Sequence, residues 1–224
     1  MPMILPIALP FLVLLFLVLV VVLIVMVELR ILAYAYRKIG VRPRYVFAVL
    51  VLSLVGSYIN IPLYAVPVRG LVTPETVTIY GRTYLVPPPI EAGATVVAIN
   101  VGGALLPILL SLYLFFRLRM YVRMLVGVAV VALIVYRLAS IVPGVGIAVP
   151  MLVPPLAAVA VSLVLAFRRA PPVAYVSGSM GTLIGADVLN LGRIAELGAP
   201  MISIGGAGTF DGVFLTGIIA GLLA

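Results

Sequence analysis

Long stretches without a charged side chain dominate this sequence and constrain what it can fold into. The first, residues 4–27, runs for 24 residues without a charge. An α-helix rises ~1.5 Å per residue, so this run is long enough to cross the ~30 Å hydrocarbon core of a bilayer. Hydrophobic residues make up 65% of the chain and charged residues 9%, which is more apolar surface than a soluble domain can bury. We therefore expect an all-α fold, a multi-pass bundle of membrane helices.

Six further apolar runs give about seven transmembrane helices in a single integral membrane domain over residues 1–224. The predicted spans are residues 4–27, 45–66, 92–116, 122–142, 149–167, 173–191 and 201–224. Ten of the 14 basic residues lie beside spans one, three and five, at Arg30, Arg37, Lys38, Arg42, Arg44, Arg117, Arg119, Arg123, Arg168 and Arg169. The positive-inside rule then predicts a cell-membrane protein with its N-terminus outside and its C-terminus in the cytoplasm.

The predicted external loop, residues 69–91, contains a segment of different character. Residues 76–86 alternate polar and apolar side chains on both sides of Gly81, and three prolines follow. This pattern predicts a short external β-hairpin. The hairpin could cap an external cavity, or it could be a simple structured loop.

The composition excludes several kinds of chemistry. The chain has no Cys and no His, so disulfides, thiolate catalysis and the commonest metal ligand are excluded. We expect no metal site and no cofactor. The net charge of +8 comes from short loops between apolar runs, which favours the lipid bilayer as partner and not nucleic acid. The sequence leaves the oligomeric state open.

The two aspartates are the principal candidates for chemistry. Four glutamates lie in or beside loops, whereas Asp187 and Asp211 lie inside the last two apolar runs. A carboxylate at membrane depth costs several kcal/mol, roughly, and usually marks a functional site. The midpoint between the two is Ala199, next to Pro200. A helical turn there would put both carboxylates at one depth, where they could share a proton and act as acid and base on water.

Three interpretations of these aspartates stay open. The first is an intramembrane aspartyl hydrolase that cleaves a membrane peptide with an Asp187/Asp211 dyad. The second is a proton- or cation-coupled transporter or channel that uses the same aspartates. The third is a structural membrane protein without catalysis, in which Asp187 could pair with Arg137 in the fourth span.

Uncharged polar residues within the apolar runs complete the predicted site. They are assigned to substrate or ion binding and comprise Asn60, Asn100, Asn190, Thr182, Gly208 and Thr209. Asparagines in a membrane bundle can bridge helices or coordinate an ion where a helix is broken. Residues 57–62 and 100–103 combine Asn with Pro or Gly, and we expect breaks there.

Two glycine-rich segments carry a family resemblance. Residues 178–191, GSMGTLIGADVLNL, and residues 203–214, SIGGAGTFDGVF, resemble the C-terminal signature of a prokaryotic membrane family classed as a domain of unknown function. Residues 60–62 and 98–104 resemble its earlier segments. The resemblance implies a membrane fold and no particular activity.

A weaker resemblance is to intramembrane aspartyl proteases of the presenilin and signal-peptide-peptidase type. Those proteins place one Asp in each of two consecutive spans, the second within a Gly-x-Gly-Asp motif. Here Thr209 and Phe210 separate Gly208 from Asp211, so the motif is two residues longer. The resemblance implies peptide cleavage by Asp187 and Asp211.

Overall fold

A computed structural model describes residues 8–67, 76–79, 82–85, 94–142, 146–196, 201–206 and 212–224. The described chain is mostly helical, with a few short strands. Four of its helical stretches are long and apolar enough to cross a membrane, and two shorter apolar helices accompany them. The helices are α1 (Ala8–Lys38), α2 (Pro43–Gly56), α3 (Leu106–Leu118), α4 (Tyr121–Leu138), α5 (Val153–Ala166), α6 (Ala170–Thr182) and α7 (Gly212–Leu223).

Proline marks the start of several helices. It occupies the first turn of α2, α3, α5 and α6, where the missing amide proton has no intrahelical partner to lose. By contrast, α1 contains no proline after its first turn and continues for 31 residues. Its large side chains between Phe11 and Val27 are exposed, and its packing begins near Ala35 and Tyr36 in the last turns. Most of α1 is thus free to face lipid.

Helix α6 lies at the centre of the bundle and packs against α3, α4, α5 and α7. Almost all of its residues are buried. Small side chains allow the close approach: a Cβ added to Gly178 would lie 3.3 Å from the Cβ of Ala158 on α5. In one straight helix residues 158 and 178 would be ~30 Å apart. The chain therefore folds back between α5 and α6, at the short 3₁₀ turn Phe167–Arg169.

A three-stranded sheet joins elements that are distant in sequence. It consists of β1 (Asn60–Pro67), β4 (Ala94–Asn100) and β7 (Met201–Ile204), with β4 in the middle. Strand β1 runs antiparallel to β4, and β7 runs parallel to it. The predicted spans at residues 45–66 and 92–116 are therefore part helix and part strand, which corrects the all-helical expectation. Pro62 and Pro67 disfavour a helix in β1, and the β-branched side chains of β4 suit a strand.

The remaining strands form two small antiparallel pairs. One pair is β2 (Thr76–Ile79) with β3 (Arg82–Leu85), in which Ile79 lies opposite Arg82. The other is β5 (Ser140–Val142) with β6 (Gly146–Ala148), between α4 and α5.

The loops that carry most of the basic residues meet at one end of the bundle. The Nζ of Lys38, at the end of α1, donates to the carbonyl of Leu222 in the last turn of α7 at 2.7 Å. Arg117, in the last turn of α3, donates to the carbonyl of Gly40 in the loop after α1. The first turn of α6 is also there, because the carbonyl of Pro171 lies beside Gly221 of α7. We call this the basic end.

Candidate polar site at the helix breaks

At the two breaks that the sequence predicts, the chain changes between helix and strand: a helix ends at the first break and begins at the second. Helix α2 ends at Gly56, and β1 begins at Asn60. Strand β4 ends at Asn100, and a π-helical turn over Val101–Leu105 leads into α3. The two breaks lie side by side, because a Cβ added to Gly102 would overlap the backbone of Ser53 and Ser57. This close approach brings the polar groups of both breaks together.

Asn100 is the central side chain of this arrangement and is 2% exposed. Its Oδ1 accepts a hydrogen bond from the amide of Gly103 at 2.7 Å, so it caps the helix that it precedes. Its Nδ2 donates to the carbonyl of Ser57 at 2.8 Å and to Oδ1 of Asn60 at 3.0 Å. Ser203 of β7 donates to the same Asn60 oxygen at 2.5 Å. These side chains connect β1, β4 and β7, which are strands, and the predicted role of the asparagines in bridging helices or binding an ion stays a prediction.

Asp187 ends a second π-helical turn, Leu183–Asp187, which continues α6. A 3₁₀ segment, Val188–Glu196, follows. The carboxylate of Asp187 is partly buried, and its Oδ2 accepts a hydrogen bond from the amide of Gly205 at 2.8 Å. π-turns inside helices occur often at functional sites, and here two of them border one polar region.

Gly205 lies between Asp187 and the first turn of the helix that starts at Val101. Its φ is +66°, a left-handed conformation that favours glycine. A Cβ at this position would lie 2.6 Å from the Cβ of Ala104 and 2.8 Å from the carbonyl carbon of Gly103. The amide end of that helix carries a partial positive charge. The turn around Gly205 therefore brings the Asp187 carboxylate towards a region that stabilises negative charge.

The other predicted residues have distinct surroundings. Asn190 is buried, and its Nδ2 donates to the carbonyls of Gly185 and Ala186 at 3.1 and 2.9 Å. It therefore completes hydrogen bonds that the end of the helix leaves open. Thr182, one turn before Asp187, is buried, and its hydroxyl has no hydrogen-bond partner among the described residues.

Part of the predicted site lies outside the described residues. Asp211, Gly208 and Thr209 belong to this part, so the separation of the two carboxylates stays a prediction. Arg137, the candidate structural partner of Asp187, is exposed in the last turn of α4.

Sequence reasoning did not include two residues that the structure adds to the site. Ser203 and Gly205 come from β7 and its following turn, and they contact Asn60 and Asp187 across long stretches of chain. Ser203-Ile204-Gly205-Gly206 contains a small polar residue and two glycines beside an apolar run. That pattern signals a turn, but it does not identify the partner.

Among the described residues, the chemistry available at this site is that of the Asp187 carboxylate beside amide, hydroxyl and backbone groups. Asp187 can bind and release a proton, and carboxylate, carbonyl and amide oxygens are ligands that hard cations prefer. Among the described residues no group of three or more His, Cys, Asp or Glu side chains could hold a metal ion. Any cation site here would therefore depend on oxygen atoms of the backbone and of asparagine as well as on Asp187.

The fold and the site define a class: a mainly helical protein with several membrane-length apolar helices, interrupted by short strands at a polar region. The sequence matches the family described as protein of unknown function (DUF1614) over residues 54–223. The match covers well over half of the chain, and the protein belongs to this family. Comparison with curated proteins and with solved structures gave no match.

Proposed function

We propose that this protein is a proton- or cation-coupled transporter or channel, in which Asp187 binds the ion. The observation that carries the proposal is the hydrogen bond from the Gly205 amide to the Asp187 carboxylate, at a point where helices on both sides are interrupted. Transporters bind ions where discontinuous helices expose backbone amides and carbonyls near the middle of the membrane.

The interrupted backbone supports this proposal on physical grounds. Non-helical backbone at membrane depth is tolerated only where it is buried in protein or lines a cavity that holds water. Asn100 is buried, whereas Asn60 of the same hydrogen-bonded group is exposed. The polar group thus extends from the bundle interior to its surface, as an ion-entry route requires.

We further propose the orientation of the chain, with the N-terminus outside and the C-terminus in the cytoplasm. The basic end, where Lys38 bonds to the last turn of α7 and Arg117 to the loop after α1, would face the cytoplasm. The β2–β3 pair would then lie outside as the proposed external hairpin, in a bundle of about seven spans. Reporter fusions at each terminus test this: a C-terminal fluorescent protein should fluoresce in cells, and a C-terminal periplasmic phosphatase should be inactive. The reverse result would overturn the orientation.

Ion flux into proteoliposomes tests the function directly. Purified protein is reconstituted with a pH-sensitive dye inside, and a potassium diffusion potential drives uptake. Separate experiments impose a sodium or a potassium gradient across the liposome membrane and measure the flux of that ion. We expect flux well above that of empty liposomes. Asp187→Asn should lower it by about tenfold or more, because the amide cannot take up a proton or carry the charge.

Glu28→Gln is the matched control. Glu28 is also an apolar-helix carboxylate, but it is exposed on α1, so its neutralisation should leave the flux unchanged. Equal flux in the wild-type protein and Asp187→Asn would overturn the role of Asp187. Absence of proton, sodium and potassium flux in the wild-type protein would overturn the proposed function.

The second candidate is an intramembrane aspartyl hydrolase that uses Asp187 and Asp211 to cleave a membrane peptide. One packing contact favours it. Val213, two residues after Asp211 in the sequence, packs in one apolar cluster with Leu183, four residues before Asp187. Incubation with a single-span peptide in detergent distinguishes the candidates. The hydrolase requires that Asp187→Asn and Asp211→Asn both abolish cleavage, and cleavage that survives either substitution contradicts it.

A further inference from the structure

We infer that hydroxyl groups on α6 form a proton path between the basic end and Asp187, so that the transported ion is a proton. This inference rests on the proposed function and names its ion. The path consists of Tyr175, Ser179 and Thr182, and we call these residues the hydroxyl stripe.

The spacing of the stripe places its members on one face of α6. Ser179 follows Tyr175 by four residues, and Thr182 follows Ser179 by three, which is the repeat of a single helix face. The steps along the axis are about 6 and 4.5 Å. One water molecule that bridges two hydroxyls spans ~5.6 Å, the length of two hydrogen bonds. A single water can therefore connect Ser179 with Thr182, whereas Tyr175 and Ser179 already lie close together because both border the same added Cβ at Gly217.

The hydrogen bonding of these hydroxyls is unusual for a membrane helix. Serine in a helix normally bonds to a carbonyl of its own previous turn, and Ser162 of α5 does so, to Val159 at 2.9 Å. Ser162 and Ser179 are both 0% exposed. Yet the oxygens of Ser179 and Thr182 bond to no carbonyl of their own helix; the hydroxyl of Ser179 interacts with that of Tyr175, and Thr182 has no hydrogen-bond partner within the described part of the chain. A buried polar oxygen of this kind usually signals a bound water or ligand.

The neighbouring helices add polar groups beside the stripe. Ser179 and the ring of Tyr175 both face Gly217 of α7. Helix α3 packs against α6 and carries Ser111, whose buried oxygen also has no partner among the described residues. Within the part of the chain that the structure describes, unpartnered oxygens therefore occur on several residues of α6 and on Ser111 of α3, and they include Ser177, which faces Gly127 of α4 and lies outside the stripe.

One end of the stripe lies towards the basic end, and the other end leads to Asp187. Towards the basic end, Tyr175 packs in one cluster with Tyr36 of α1, whose hydroxyl is hydrogen-bonded to Ser53. In the other direction, Thr182 precedes the π-turn that ends at Asp187. A π-turn has more residues per turn than an α-helix, so it rotates Asp187 back towards the face of the stripe.

Proton transfer along the stripe is balanced at every step. Each hydroxyl or bridging water accepts one proton on one side and releases one on the other. Asp187 takes up that proton as a neutral carboxylic acid and later releases it to the opposite face. Sodium and potassium ions bind several oxygen ligands at once and find no such site here, because the stripe offers single hydroxyls and no ring of carbonyl or carboxylate oxygens.

Thiol labelling measures whether water reaches the stripe. The natural chain has no cysteine, so Ser179→Cys and Thr182→Cys each introduce one thiol into full-length protein in liposomes. The probe is Ag⁺, and the readout is the fraction of thiols that a fluorescent maleimide still modifies after denaturation in SDS. Ser162→Cys is the matched control, because Ser162 is equally buried and bonded to its own helix. We expect Ag⁺ to protect the thiols at positions 179 and 182 from the maleimide, and to give no protection to the thiol at position 162.

Flux measurements on the intact site complete the test. Ser179→Ala with Thr182→Val should lower proton flux by about tenfold or more, whereas Ser162→Ala should leave it unchanged. Sodium and potassium flux should be absent. Protection equal to that of Ser162→Cys, or unchanged proton flux in the double variant, would overturn the path while the proposed function stands. Protection without any wild-type flux would support a hydrated stripe and overturn the proposed function.

Discussion

Replacing Gly205 with alanine tests the contact on which the candidate site depends. The Gly205 amide binds the Asp187 carboxylate, while its Cα lies against the turn that begins α3. A methyl group at this position would lie 2.6 Å from the Cβ of Ala104 and 2.8 Å from the carbonyl carbon of Gly103. Neither neighbour is the flexible end of a side chain, so the 201–206 segment would have to move.

The expected loss in the free energy of unfolding of Gly205→Ala has two separate causes. A left-handed backbone, here at φ +66°, costs an alanine about 1–2 kcal/mol. Inserting a methyl group into a packed contact costs about 1–3 kcal/mol. We therefore expect Gly205→Ala to lower the free energy of unfolding by about 2–5 kcal/mol. If the segment moves away to relieve the overlap, the bond to Asp187 lengthens and ion flux falls as well.

Circular dichroism at 222 nm in detergent follows this change. For a chain of about this size, about 2–4 °C of melting temperature corresponds to each kcal/mol, so a decrease of about 4–20 °C is expected. Gly192→Ala is the matched control, since Gly192 is exposed and a Cβ there meets nothing within 4 Å. Equal melting temperatures for the two variants would refute the close contact between the Gly205 turn and α3.

Three further substitutions test the packing and the hydrogen bonds, each by the same melting assay. A Cβ at Gly127 would overlap the hydroxyl of Ser177. Gly127→Ala should therefore lower the free energy of unfolding by about 1–3 kcal/mol, and a second substitution, Ser177→Ala, should restore part of that loss. Strictly additive effects would contradict that contact. Asn100→Ala removes the acceptor of the Gly103 amide and should cost about 2–4 kcal/mol; a change below about 0.5 kcal/mol would contradict its role. Lys38→Met removes a half-exposed bond to α7 and should cost about 1 kcal/mol or less, so a larger loss would show that this bond fixes the bundle.

The sequence predicts the breaks because their signals are local. Asn60-Ile61-Pro62 and Asn100-Val101-Gly102 combine a residue that caps or ends helices with one that disfavours them. The structure confirms both breaks, at the end of α2 and at the start of the π-turn before α3. The long apolar helices are equally local, because length and composition alone indicate them.

The three-stranded sheet and its pairing could not be predicted in the same way. Residues 95–99, Thr-Val-Val-Ala-Ile, read equally well as a buried strand or as part of a buried helix. Strand β4 also pairs with β7, in which Val96 lies opposite Met201. Pairing over such a distance is set by the packing of the whole bundle and leaves no pattern in either segment. The contact between Asp187 and Gly205 depends on the same pairing.

The hydrogen bonds of the polar region separate a structural role from a functional one. Helices that stop inside an apolar bundle leave amides and carbonyls that need partners. Asn100 and Asn190 supply them with neutral amide groups. Asp187 makes a comparable bond to Gly205, which an asparagine oxygen could also accept. The bond to Gly205 therefore needs an acceptor at position 187 but not a charge, and a charge at membrane depth is costly. Asp187→Asn should consequently keep the bond to Gly205 while ion flux is lost. A large fall in stability together with unchanged flux would instead make Asp187 a structural residue.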